Sequence, residues 1–374
     1  MVIRFGLVAL GNSTSVDDRT ASPRLAKFYR SRARGMPMPL SARLVPILPP
    51  IFIHHAEAHE CGYHCVVTMK KLSFLLSLTT NDNDYQIEQA ASAQDAARRA
   101  GAALRIVYAE NDAITQSQQL LKIIQAGDQA SKPDAIVFEP AGSTGLPQVA
   151  RAAVAGRIGW VILNREAEYI SELRATHKIP VFSITSDHRE IGRIQGQQVD
   201  ALLPKGGSII YIQGPSGSDA AQQRTEGMQA TLPKNVQARM LRAHWTETSA
   251  HQAVSSWLRL STSRELAIDA VIAQDDSMAM GARKALQEIT DLHQRDRWLS
   301  LPFTGCDGMP KTGQAWVRNG SLAATIVVPA NAGLALEMVA KAFQSGAIPR
   351  ERTFTEVKSY PKLEDLGAHD KKKA

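Results

Sequence analysis

The chain has 374 residues, 44% hydrophobic and 21% charged, with a formal net charge of +7. That length supports two domains with cores of their own, the composition is that of a soluble globular protein, and no apolar run approaches the roughly 20 residues that span a bilayer. The positive charge does not point to nucleic acid, because residues 1–68 carry eight Arg/Lys against four Asp/Glu and Lys371, Lys372 and Lys373 supply the remaining excess.

Residues 1–68 are rich in Pro, Arg and Ser and show no helix or strand periodicity. They read as an unstructured extension, or as an over-extended reading frame with Met69 the true initiator. The run His54-His55-x3-His59-x-Cys61-x2-His64-Cys65 has the residue types of a zinc site. Its spacing matches no standard finger and no second ligand pair follows, so no metal is assigned. With Cys306 these are the three cysteines of the chain, too few for a disulfide framework. Met69-Lys70-Lys71 before an apolar run resembles a secretory leader. No small-residue cleavage site follows promptly, and removing Leu72–Leu78 would delete a needed strand, so the sequence leaves export unsupported.

From Leu72 onward strands alternate with helices. Strands are predicted at Leu72–Leu78, Leu104–Tyr108, Ala135–Phe138, Trp160–Leu163, Val181–Thr185, Ser208–Ile212, Ala238–Arg242, Ala270–Ala273, Pro302–Gly305 and Ala323–Val327. Helices are predicted at Glu88–Ala100, Thr115–Ala126, Ile191–Leu203, Ala220–Leu232, Ser249–Leu260, Ser277–Ile289 and Gly333–Ser345. A shorter helix is expected within Glu166–Lys178, where Tyr169, Ile170 and Leu173 form one apolar face. Repeated strand–helix units imply an α/β protein of parallel sheets covered by helices on both faces. About ten strands suit two doubly wound lobes better than one sheet.

Ligands on such sheets bind beyond the carboxyl ends of the strands. The residues there are Asn81–Gln86 after the first strand, Asn164-Arg165 after the fourth and Ser186-Asp187-His188 after the fifth. In the second half Gly214–Arg224, His244-Trp245, Gln274-Asp275-Asp276 and Cys306-Asp307-Gly308 stand at the same kind of position. Helix capping accounts for a single Asp or Ser. It does not account for Tyr85, Arg165, Arg224 and Trp245. Carboxylates, guanidinium groups and amides with aromatic rings suit a polyhydroxylated ligand, whose hydroxyls donate to Asp and whose C–H faces stack on rings. Asp276 is expected to cap its helix and Asp275 to face the ligand, while His188 reads as a surface residue near a helix start. No nucleophile elbow and no metal-like histidine spacing follows Met69, so neither catalysis nor a cofactor is expected.

Six motifs carry a family resemblance: Val161–Arg165, Ser186-Asp187, Ile212–Met228, Ala273–Gly281, Phe303–Gly308 and Gly320–Ile326. Through them the chain from Leu72 to about Pro361 resembles the type I periplasmic sugar-binding proteins, with the pattern of the ribose-binding branch. The resemblance implies two lobes joined by three crossovers and closing on one small ligand as a hinge. It places one lobe at 69–185 plus 328–352, the other at 186–327 plus 353–362, and a basic tail at 363–374. The ligand positions it implies are Asn83, Tyr85, Gln86, Asn164 and Arg165, then Asp187, Asp219, Arg224, Trp245, Asp275 and Asp307. Three departures stand out. Asn164 replaces an Asp, Asp275 replaces an Asn, and Val327-Val328 replaces a late Gln, with Asn331 the nearest polar candidate. Negative charge therefore moves to the second lobe, and ribose itself is not the expected ligand.

The function implied is non-catalytic binding of a small sugar or polyol by a monomer that serves an ABC permease or a sensor protein. No nucleic-acid partner and no membrane span are expected. The alternative is the effector-binding domain of a LacI-like regulator, which would need a helix-turn-helix that residues 1–68 do not signal. The resemblance implies a periplasmic location; without a clean leader the cytoplasm stands as the alternative.

Overall fold

A computed structural model of the chain describes residues 71–128, 131–142, 144–261 and 266–366. The extension over 1–68 with its His/Cys run, and the tail beyond 366, lie outside the described residues. In chain order the strands are β1 (Ser73–Leu78), β2 (Ala103–Tyr108), β3 (Ala135–Phe138), β4 (Gly159–Leu163), β5 (Val181–Ser186), β6 (Gly207–Gln213), β7 (Val236–Arg242), β8 (Ala270–Ala273), β9 (Phe303–Thr304), β10 (Thr325–Val327), β11 (Arg352–Thr355) and β12 (Lys358–Tyr360). The helices are α1 (Asp84–Arg99), α2 (Ala113–Ile124), α3 (Pro147–Ala155), α4 (Tyr169–Thr176), α5 (His188–Leu202), α6 (Asp219–Thr231), α7 (Glu247–Leu258), α8 (Asp276–Gln287), α9 (Leu292–Leu299), α10 (Gly313–Arg318), α11 (Asn331–Ser345) and α12 (Leu363–Leu366). Every strand and helix expected from the sequence is present. The strands β11 and β12 and the helices α3, α9, α10 and α12 were not expected. Helix α1 starts at Asp84 instead of Glu88 because Asn83, extended at φ −155°, accepts from the backbone N–H groups of Tyr85 and Gln86.

The strands form two parallel sheets because their apolar residues run continuously and bury both faces. In β1, Phe74, Leu76 and Leu78 point into one core layer, which α1 and α11 cover, and Leu75 points into the opposite one. In β4, Val161 and Leu163 face the first layer, Trp160 and Ile162 the second. The second sheet repeats this with Ile210 and Ile212 on one side and Ile209 and Tyr211 on the other.

The first sheet has the order β11-β5-β4-β3-β1-β2, and the second β7-β6-β8-β9. Bridges from Thr304 to Ala324 and from Asp307 to Val327 carry the second sheet on to β10, which pairs antiparallel with β12. The chain therefore passes between the sheets three times, after β5, after β10 and after β11. The expected boundary at 352/353 falls inside β11, which is one strand paired with β5 over Arg352–Thr355 and so belongs wholly to the first sheet. Helices α5 and α6 touch backbone to backbone. A Cβ on Gly192 would meet the carbonyl oxygen of Arg224, and one on Gly227 that of Arg189. Glycine is what allows this approach, and it sets the height of Arg224 above the sheet ends.

Candidate ligand-binding cleft

A cavity of about 650 Å³ lies among the carboxyl ends of strands from both sheets, within the usual size of small-molecule sites. Eleven of the twelve residues expected from the sequence line it. The exception is Asn331. It is buried at the start of α11, and its Nδ2 donates to Asn164 Oδ1 at 2.9 Å. It reaches the cleft only through Asn164.

On the first-sheet side, Asn83 caps α1 with Oδ1 and donates from Nδ2 to the Trp245 carbonyl across the cleft, at 2.6 Å. The Tyr85 hydroxyl lies 2.9 Å from Pro329 O and 3.2 Å from Asn164 Oδ1. Asn164 holds a left-handed backbone (φ 54°). Its carbonyl oxygen lies 3.0 Å from His188 Nε2. A carbonyl only accepts, so Nε2 carries the proton. Burial, with the Arg224 charge, pushes the His188 pKa down to about 3. The ring is therefore neutral, and Nδ1 is a bare acceptor with no partner among the described residues. This corrects the sequence expectation, because His188 is buried and lines the cavity.

On the second-sheet side, Gln274 organises the wall. Its Oε1 accepts from Gly214 N at 2.8 Å, and its Nε2 lies 2.9 Å from Tyr211 Oη and Ala221 O and 3.0 Å from Thr225 Oγ1. Its carbonyl accepts from Arg224, whose guanidinium sits 5.4 Å from the Trp245 ring centroid, a cation–π distance. Trp245 is left-handed at φ 64°, rare for a bulky residue. The indole lies against Gly214, where a Cβ would collide with the ring.

Asp275 faces the cavity as expected, but the helix cap expected of Asp276 falls to it as well. Asp275 caps α8, accepting from Met278 N at 2.6 Å, and still faces the cavity. Asp276 is no cap: it accepts from Gly308 N at 2.7 Å and Thr325 Oγ1 at 2.6 Å, binding the β9 loop to β10. Burial raises the Asp275 carboxyl to about 7, against the Met278 hydrogen bond and the Arg224 charge. Burial also raises Asp307, with Arg224 again opposing. Asp187 stands at the rim, capping α5 and 3.8 Å from Arg193. Asp219 pairs with Arg165, joining the two walls. Among the described residues no cluster of three or more His, Cys, Asp or Glu is placed to hold a metal ion.

Glu139, at the end of β3, also lines the cavity and was not expected. Burial raises its carboxyl against hydrogen bonds from Gln86, Asn164 and Gln89. The signal was available, since Glu139 directly follows a predicted strand.

Residues 74–347 match the periplasmic binding protein domain. The chain is 29% identical over 192 residues to a Rhizobium meliloti protein named for rhizopine binding, covering 50% of this chain and 58% of that one. It is 25% identical over 258 residues to the ribose import binding protein of Salmonella typhimurium, covering 69% of this chain and 79% of that one. An ABC transporter periplasmic solute binding protein from Actinobacillus succinogenes, solved with bound D-allose, superposes with a TM-score of 0.66 at 20% identity. That superposition covers 79% of this chain and 99% of that one, and shows a shared fold. Two parallel α/β sheets linked by three crossings, a cleft fed from both, and a domain match over most of the chain make it a member of the periplasmic binding protein domain family.

Proposed function

We propose that the protein binds a small sugar or polyol in this cleft, without chemistry, as the substrate-binding component of an ABC importer or as a ligand sensor. One observation carries the reading: eleven residues that stand at strand ends, and that the family resemblance implies as ligand positions, converge on one cavity of small-molecule size. Their mix of carboxyl, guanidinium, amide and indole groups suits hydroxyls and the C–H face of a sugar ring. The ribose import binding protein and the allose-bound structure support the ligand class. The relatives matched are binding proteins, and they give no support to the LacI-like alternative. A periplasmic location, a permease partner and a monomeric state complete the proposal.

The test is a thermal-shift screen of monosaccharides and polyols on the full chain. One ligand class should raise the melting temperature. Asp275→Ala and Arg224→Ala should each remove that gain. If no sugar or polyol shifts the transition, the ligand assignment fails while the fold stands.

A further inference from the structure

We infer that the preferred ligand is a polyhydroxylated molecule bearing an ammonium group, which Asp275 and Asp307 in one wall and Glu139 in the other receive. The inference rests on the sugar-or-polyol reading and narrows it.

The argument begins with the charged groups around the cavity. Glu139, Asp275 and Asp307 open onto it. Other charged residues at its edge have partners outside this trio: Arg165 has Asp219, Arg189 has Glu226 and Glu166 has Arg352, while the rim residue Asp187 shares Arg193 with the nearer Glu190. His188 adds no positive charge, because its only ring proton is committed to Asn164 O. Arg224 is then the cation left to face three carboxyl groups among the described residues lining the cavity. Burial raises all three carboxyls, so without a further facing cation they are biased toward the protonated form, which a bound cation would reverse.

A second observation concerns hydrogen bonding. Asp275 is 2% exposed, and its Oδ1 is taken by Met278 N. Its Oδ2 has no partner among the described residues. His188 Nδ1 is also a buried acceptor without a partner, and Arg224 Nε is a buried donor without one. A neutral hydroxyl can give Asp275 Oδ2 a hydrogen bond but supplies no counter-charge to these buried carboxyls. An ammonium gives up to three donors and a positive charge together, and its bonds to carboxylates are the stronger kind. Hydroxyls elsewhere on the same molecule match Arg224 and His188, since a hydroxyl donates or accepts as required.

The experiment uses matched pairs at pH 7.5 on the full chain: glucosamine against glucose, galactosamine against galactose, and 1-amino-1-deoxysorbitol against sorbitol. Affinity is measured by calorimetry after a thermal-shift survey. In at least one pair the aminated member should bind about tenfold or more tightly than its parent. Asp275→Asn and, independently, Glu139→Gln should shrink that ratio severalfold. Parents that bind as well as their aminated partners overturn the inference and leave the sugar-or-polyol reading standing. A ratio that survives both substitutions overturns the assignment of the carboxylates. Failure of every aminated and neutral member to bind overturns the inference together with the reading beneath it.

Discussion

Replacing Asp275 by Asn in the ligand-free protein should change how stability depends on pH, and the direction follows from the buried carboxyl. Burial raises Asp275 from 3.8 to about 7, so the folded state holds its proton more tightly than the unfolded chain. The stability this contributes is fully present below about pH 4 and is lost as pH rises through about 7. At about 1.4 kcal/mol per pH unit the loss is on the order of 4 kcal/mol as an upper bound. The charges facing Asp275 are Arg224 from α6, which opposes the shift, and Asp84 from α1, which adds to it. Asp307, Asp276 and Glu139 are raised too, each chiefly by burial, so all four slopes have one sign. An Asn at 275 keeps an oxygen for the Met278 N–H, so the α8 cap survives. Urea denaturation from pH 4.5 to 8.5 should show wild type weakening toward neutral pH. The variant should lose less and be the more stable protein above pH 7. A wild-type stability that rises from pH 5 to 7.5, or a variant profile parallel to it, would refute the reasoning.

Two further substitutions probe the wall that carries Arg224. Gly214→Ala sets a methyl group against the Trp245 indole, and overpacking of this kind costs about 1–3 kcal/mol. Denaturation should show that loss together with a smaller ligand-induced thermal shift, whereas unchanged ligand affinity would remove Trp245 from the wall. Gln274→Ala strips the acceptor from Gly214 N and the donor from Tyr211 Oη, Ala221 O and Thr225 Oγ1, though Tyr211 Oη keeps its bond to Gln195 Oε1. Stranding buried polar groups should lower stability by about 2–4 kcal/mol, and a loss below about 1 kcal/mol in urea denaturation would show that Gln274 does not organise the wall.

Strands such as β1 and β4 were legible because both of their faces are buried, which writes an unbroken apolar run into the sequence. Strand β11 was not, because Arg-Thr-Phe-Thr has no such run. It forms at the sheet edge by pairing with β5, far away in the chain. The strand-end rule found most of the cleft, and it also applies to Glu139, which a single Glu before a Pro does not otherwise advertise. The rule could not divide the work between Asp275 and Asp276. Both stand at the start of one helix, and only the packing of Gly308 and Thr325 against Asp276 decides which acid turns inward. His188 looked exposed for a similar reason, since its burial depends on the turned backbone of Asn164, a contact between two strand ends.

Asn83, Asp187 and Asp275 each spend one side-chain oxygen on the cap of their own helix and line the cavity as well. A cap fixes the rotamer of the residue that makes it, so these groups are held in place by local hydrogen bonds before any ligand arrives. Arg224 is held by the Gln274 carbonyl, and the α5–α6 glycine contact sets its height. Little side-chain ordering then remains to oppose binding, which is the main advantage of a preorganised site. The two walls nonetheless meet through contacts of unequal kind. Asn83 reaches the Trp245 backbone from within a cap, whereas Arg165 is met by an Asp219 side chain that is 57% exposed. An ion pair with so exposed a partner contributes little to stability. The walls themselves are therefore rigid, and the join at Arg165–Asp219 is the weak one, so that is where the cleft is expected to part.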